Sequence, residues 1–226
     1  MKRGGDLAVT VLAGIIALPL GLLIALLIRA TTGGPVIFRQ TRTGRHGREF
    51  DILKFRTMRD RQYEDEPDAP RITRLGALLR KSSLDELPQL WNVLRGDMGV
   101  IGPRPTLPEQ VVHYSTRQRG RLAVRPGLTG WAQVRGRNSI TWPERIELDL
   151  WYIEHHSLAL DLRILALTVK VLLRPAGITA AGGVNPGFPV PAQPTAEPAV
   201  PAGSRIVLPR QATATAPRLA PEELRG

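Results

Sequence analysis

The sequence predicts an α/β protein, mostly helical with short strands, in which one folded domain follows an N-terminal apolar anchor. Three observations carry this. A run of 22 residues, Leu7–Ile28, contains no charged side chain, and about 20 apolar residues are enough to span a bilayer. After it, short alternating runs such as Phe50–Met58 read as strands. Between and beyond them, apolar residues recur at helical spacing, as in Leu87, Leu90, Trp91 and Leu94.

The 226 residues suffice for one domain with a proper core. No cysteine is present, which excludes a disulfide framework and a thiolate metal site. The formal charge of +11, from 31 basic and 20 acidic residues, favours anionic partners. Aromatics make up only 5% of the chain, too few to interleave basic residues with stacking platforms, so nucleic acid is not an expected partner.

Three readings fit the N-terminal run. A cleaved signal peptide is disfavoured by its length and by the lack of a small-residue cleavage site. A plain single span is disfavoured by Pro19, which sits near its middle between Gly14 and Gly21 and removes a helix hydrogen bond. Basic residues flank both ends, Lys2 and Arg3 before and Arg29, Arg39, Arg42, Arg45 and Arg48 after, so the charge bias picks no orientation. A helix-break-helix hairpin that enters and leaves one leaflet places both flanks on one side.

Gly33-Gly-Pro35 ends the anchor, giving a boundary at residues 32 and 33. Val36–Gln40 is a short strand and Thr41–Arg48 a basic turn. In Phe50–Met58, alternation puts Lys54 and Arg56 on one face; a solvated strand face explains them as well as a phosphate contact does. Arg59–Pro70 reads as a mobile loop, and Glu64, Asp65, Glu66 and Asp68 as a solvated charge run. Ile72–Arg80 is an amphipathic helix suited to a membrane surface.

The densest stretch is Arg80–Pro105. Asp85 and Glu86 are adjacent and followed by Leu87-Pro88. Ser83-Leu-Asp-Glu86 has the form of a capping box, but that register buries Pro88 inside the helix. A start between Asp85 and Leu87 leaves Pro88 in the first turn, where it is tolerated. The acids then lie at a helix N-terminus, which stabilises carboxylates. Acidic first turns often do no more than that. Here Arg80, Lys81, Arg95 and Arg104 surround the pair and Gly99, Gly102, Pro103 and Pro105 form a loop, a combination suited to phosphate chemistry with a divalent metal.

Downstream, Glu109–Gly120 contains a helix, and His113 has no partner histidine at metal spacing. Val124–Val134 is a turn-rich loop leading to a short strand, in which Arg125 either pairs with phosphate or packs structurally. Ile140–His156 and Asp161–Leu173 are helices; Trp151 and Tyr152 suit a membrane interface or a core equally. Ten of the chain's twenty prolines fall in 175–226, where no period survives, so 176–226 is expected to be a disordered tail.

Ser83–Met98 with Ile101-Gly-Pro-Arg-Pro105, Lys54-Phe-Arg-Thr-Met58 and Arg125–Gln133 resembles the monotopic phosphoglycosyl transferases, also called bacterial sugar transferases, in their short form with one N-terminal membrane hairpin. The likeness runs from about Met1 to Pro175. It implies a re-entrant anchor over residues 1–32, often broken at Ser-Pro, where this chain has Leu18-Pro19. It implies a catalytic domain over 33–175 facing the cytoplasm at the bacterial inner membrane. The implied reaction moves a sugar-1-phosphate from a nucleoside-diphosphate sugar, a UDP-sugar by preference, to polyprenyl (undecaprenyl) phosphate, the first membrane step of exopolysaccharide or glycoconjugate synthesis. On that footing Asp85 is the expected nucleophile and Glu86 the expected Mg²⁺ ligand. Arg80, Arg104, Lys54 and Arg125 are the expected phosphate contacts, and membrane lipids are partners. The oligomeric state stays open, a homodimer included. The competing reading is a non-catalytic, membrane-tethered anion-binding or scaffold protein.

Overall fold

The computed structural model describes residues 2–136 and 140–173; the expected tail over 176–226 lies outside them. Helix α1 spans Lys2–Thr32. A hairpin of β1 (Ile37–Thr43) and β2 (Glu49–Phe55) follows, then α2 (Arg74–Ser82), α3 (Gln89–Arg95) and β3 (Gly99–Ile101). Two one-turn helices, α4 (Pro108–Val111) and α5 (Thr116–Arg119), lead to β4 (Gly127–Thr129) and α6 (Trp131–Arg135). The described part ends with α7 (Trp142–His155) and α8 (Leu158–Leu173).

The break expected at Leu18-Pro19 is absent: one helix runs through Pro19. A proline forfeits only its own N–H bond and crowds one carbonyl. The Leu, Ile and Ala on either side are good enough helix formers to carry the helix across, and Leu18 offers no side-chain hydroxyl to stabilise a break. The middle of α1 is apolar and exposed, with Leu12, Ile15, Ile16, Leu18 and Leu22 all uncovered. The helix is long and apolar enough to cross a membrane. Both its ends are held by the rest of the chain. Arg3 donates to the carbonyls of Val93 (2.6 Å) and Leu94 (2.9 Å), and Asp6 Oδ1 accepts from the Val100 N–H at 3.0 Å. Ile24 and Ile28, near the other end, pack with Phe55 and Leu79.

Strands β1 and β2 pair antiparallel, Arg42 opposite Phe50 and Phe38 opposite Lys54. Strands β3 and β4 pair in parallel, Gly99 opposite Gly127 and Ile101 opposite Thr129. The sequence predicts loop where this second sheet forms, because two three-residue strands show too few alternations to register. The strand expected toward Val134 is instead α6. Gly127 is required where the strands meet: a Cβ there would stand 2.1 Å from the Gly102 nitrogen. The core joins both sheets to the last helices through Ile52, Val93, Met98, Val100, Ile101, Trp131, Tyr152, Ile153 and Ile164.

The acidic loop after β2 is more ordered than a solvated charge run. Glu66 is buried, ion-paired to Arg59 and accepting the Gln62 N–H at 2.8 Å. Arg71 reaches Asp68 at 2.7 Å. A carboxylate that gains a guanidinium and a backbone donor can leave water, and this one does.

Candidate active site

The two acids occupy a single 3-10 turn, Leu84–Glu86, ahead of α3, not the first turn of an α-helix. Helix α2 is capped by Thr73, whose hydroxyl accepts from the Gly76 N–H at 2.9 Å. Gly76 lets it press on the strand end, since a Cβ would stand 2.0 Å from the Thr57 carbonyl oxygen. The chain then reverses at Ser83 in the left-handed conformation, φ 58°, where its backbone N–H closes α2; its side chain makes no N-cap bond and no capping box forms. Pro88 precedes α3, consistent with the later helix start. Leu84 and Leu87 flank the acids and pack toward Ile24, Ile28, Phe55 and Leu79, so the turn is seated directly on the apolar helix.

Asn92 fixes the strand that faces this turn. Its side chain is fully buried, donates to the Asp51 carbonyl at 2.8 Å and accepts the Leu53 N–H at 3.0 Å. The next residue, Lys54, is thereby carried over the acids. Its Nζ lies 2.7 Å from Glu86 Oε1 and 3.9 Å from Asp85 Oδ2. Arg104, on the loop after β3, donates to the same Glu86 oxygen at 2.7 Å. That loop is braced from behind. Arg121 donates to the Arg104 carbonyl at 3.2 Å and to Asp149 at 2.6 and 2.9 Å.

The neighbouring carboxyls are driven apart electrostatically. Burial pushes the Asp85 carboxyl above its ordinary value; Lys54 opposes this and the Glu86 charge adds to it. Burial acts the same way on Glu86, but Arg104 and Lys54 outweigh it and hold that carboxyl well below the usual range. Glu86 is thus a fixed anion. Asp85 is the more basic of the two, and basicity favours nucleophilicity.

A cleft of about 1740 Å³ opens over the pair. Helices α1 and α8 line it with apolar side chains, Ala13, Ile16 and Leu20 from the first and Leu165, Val169 and Leu172 from the second. The rest of the lining includes Lys54, Arg80, Arg104 and further arginines. Of the residues singled out in the sequence, Asp85, Glu86, Lys54, Arg80 and Arg104 line this cleft. Arg80 is turned to the Thr57 hydroxyl at 2.9 Å and the Met58 sulfur. Arg125 is not brought to it: its Nε donates to the Gly96 carbonyl at 3.0 Å, closing the end of α3. Arg42 and Arg145 also line the cleft, and neither stands out in the sequence. The sequence predicts a turn at Arg42, where β1 instead extends to Thr43.

No cluster of three or more His, Cys, Asp or Glu forms among the described residues. Two adjacent carboxylates nevertheless suit Mg²⁺, which is bound through one or two protein carboxylates and completes its shell with water and substrate phosphates.

An apolar helix, a cation-ringed carboxylate pair and a cleft lined by both apolar and cationic side chains define a membrane-associated protein with a phosphate-handling site. The profile described as "Bacterial sugar transferase" matches residues 1–175, and the chain belongs to that family. It is 48% identical over 161 residues to an uncharacterized sugar transferase, EpsL, of Bacillus subtilis, covering 70% of this chain and 80% of that one. It is 46% identical over 187 residues to the UDP-glucose:undecaprenyl-phosphate glucose-1-phosphate transferase of Caulobacter vibrioides, covering 76% and 69%. To the undecaprenyl-phosphate galactose phosphotransferase of Salmonella typhimurium it is 39% identical over 198 residues, 78% of this chain but 41% of that longer protein.

Proposed function

We propose that this protein transfers a sugar-1-phosphate from a UDP-sugar to undecaprenyl phosphate on the cytoplasmic face of the inner membrane, in exopolysaccharide synthesis. The observation that carries this reading is the placement of Asp85: a buried carboxylate beside a fixed anion, in a cleft lined by apolar side chains of α1 and α8 and by cationic ones. A donor diphosphate suits the cationic side chains and an isoprenoid chain the apolar ones. The named activities of the Caulobacter and Salmonella relatives support it.

In the proposed first step an Asp85 oxygen attacks the β-phosphorus of the donor. The bond from that phosphorus to the bridging oxygen breaks, and its electron pair leaves with the nucleoside monophosphate. The phospho-sugar stays on Asp85 as an acyl phosphate. In the second step an oxygen of polyprenyl phosphate attacks the same phosphorus, and the Asp85 carboxylate is released. Lys54 and Arg104 draw the diphosphate toward the pair and balance its charge. Glu86, kept ionised, is the residue that would hold Mg²⁺, which when bound neutralises charge on the diphosphate.

The anchor, although unbroken, supports a placement against one leaflet. A segment crossing the bilayer once would carry its ends to opposite faces, whereas Arg3 and Asp6 at one end of α1 and Ile24 and Ile28 at the other touch one folded body. The deciding experiment is incubation of the membrane-embedded protein with UDP-sugar labelled at the β-phosphate. Wild type should retain label and release UMP, and Asp85→Asn should do neither. Persistent labelling of the Asn variant would remove Asp85 as nucleophile.

A further inference from the structure

Arg42 has an unusual set of contacts for a guanidinium facing a cleft. Its Nη2 donates to the Gln40 side-chain oxygen at 2.6 Å and its Nη1 to the Pro105 carbonyl at a long 3.5 Å. Both acceptors are neutral. Its Nε is buried with no partner, and an unsatisfied buried donor is costly. No carboxylate stands within ion-pairing distance of it among the described residues. Burial and the neighbouring Arg104 charge depress its pKa to about 10, with Glu109 and Glu86 only partly compensating. Arg145, on the first turn of α7, also lines the cleft and lies 4.9 Å over the Trp142 ring. Burial and Arg104 depress its pKa as well. Arg42 and Arg145 thus each feel the Arg104 charge, and an anion in the cleft they line would relieve that repulsion.

The position of Arg42 says which anion. The charges that act on Asp85 are Lys54, Glu86, Arg104 and Arg80; Arg42 is not among them. Arg104 acts on both Asp85 and Arg42. Arg42 reaches the carbonyl of Pro105, next in the chain to Arg104, whose own guanidinium is on Glu86, so it stands one residue removed from the carboxylate pair. The residues in contact with these two arginines are polar or aromatic, Gln40 on Arg42 and Trp142 under Arg145, unlike the apolar side chains that α1 and α8 give the cleft.

We propose that Arg42, with Arg145 lining the same cleft, seats the α-phosphate of the donor, so that it receives the nucleoside monophosphate as leaving group when Asp85 takes the β-phosphorus. This rests on the reading given under Proposed function and assigns a site within it. The electron pair of the broken bond ends on an oxygen of the α-phosphate, and Arg42 is where that new negative charge meets a guanidinium bonded only to neutral acceptors. The nucleoside then runs along Gln110 and Trp142, not along the apolar side chains of α1 and α8.

UMP is the probe, and full-length protein in lipid nanodiscs is the material. Binding measured on an Asp85→Asn background avoids turnover. Arg42→Gln should weaken UMP binding about 10- to 100-fold, the usual scale for a charge-assisted hydrogen bond, with an unchanged melting temperature. Arg42→Lys should fall between Gln and wild type. In the otherwise wild-type enzyme, Arg42→Gln should slow formation of the labelled intermediate, while transfer from preformed intermediate to polyprenyl phosphate stays within about two-fold. Unchanged UMP binding in Arg42→Gln, a Lys variant no tighter than Gln, or a wild type that does not bind UMP would each overturn the proposal. A deficit confined to the second half-reaction would also overturn it, by giving the arginine to the acceptor phosphate. Because UMP binding requires no covalent step, a labelled Asp85→Asn protein would sink the nucleophile and leave this result standing.

Discussion

Two carboxylate–guanidinium contacts lie on opposite sides of the Arg104 backbone, and they are built for different ends. The Arg121–Asp149 pair is closed. Its side chains are 2% and 3% exposed, and Arg121 spends its other donors on Tyr114 and the Arg104 carbonyl. The Glu86 contact is open. One oxygen is shared between Lys54 and Arg104, the Arg104 side chain is 38% exposed, and a second carboxylate stands alongside. A closed pair has its charges fully matched and can only hold geometry. An open one leaves cationic donors facing a cleft, where a substrate can take them over. The difference teaches that buried charge in this fold is graded, from brace to tool, over the length of one loop.

The sharpest break of that comparison is Asp85→Asn. Transfer should drop roughly 10⁴-fold or to background, measured as UMP release, with no loss of stability. The sign follows from linkage: a folded-state pKa raised above the unfolded value means that stability is lost as pH rises through it. An amide that cannot ionise is then at least as stable at neutral pH. Asp149→Asn should behave differently even though burial raises that carboxyl too, because Arg121, 2% exposed, loses its counter-ion. Leaving Arg121 buried beside a neutral group should cost about 3–5 kcal/mol in denaturant unfolding, and activity should fall with the folded fraction and with the placement of Arg104. If Asp149→Asn lowers kcat without a change in stability, the brace is not structural and the contrast dissolves.

Glu86→Gln tests the open contact. Transfer should fall about 10²-fold with a rightward-shifted Mg²⁺ titration; an unchanged titration removes Glu86 as the metal's ligand. Removing its charge also takes away a term that raises Asp85, so the acid limb of intermediate formation should move to lower pH. The stability cost should be about 1 kcal/mol, as for a partly exposed pair. It should be greatest near neutrality and shrink as pH falls below 4.5, since a depressed carboxylate contributes only above its unfolded pKa. The smallest effect belongs to Arg125→Gln. Its guanidinium caps α3 away from the cleft, so the donor KM should stay within about two-fold, and a larger rise would return Arg125 to the phosphate contacts.

Much of this was readable in the chain. The late start of α3 followed from Pro88, and the hairpin face carrying Lys54 followed from alternation. The acids amid arginines marked the site because acidic first turns do not ordinarily come ringed by cations. What escaped reading depends on partners distant in sequence. Arg42 looks like one more basic residue in a turn until β1 extends through it and α4 folds beside that strand. Glu66 looks solvated until Arg59 closes on it. The β3–β4 pair has three residues a side, and its parallel crossover leaves no local trace. The unbroken α1 reflects Pro19 meeting neighbours with strong helix preference, a contest of magnitudes that pattern alone does not decide.

Asp6 supplies the acceptor for the Val100 amide, and Arg3 covers two carbonyls at the close of α3. The anchor is therefore part of the scaffold beneath the chemistry, not a detachable tether. Trimming it to obtain a water-soluble enzyme would strip backbone partners from the strand that leads into Arg104, and a heterologous membrane helix grafted in its place would need to reproduce those two polar side chains before it could restore turnover.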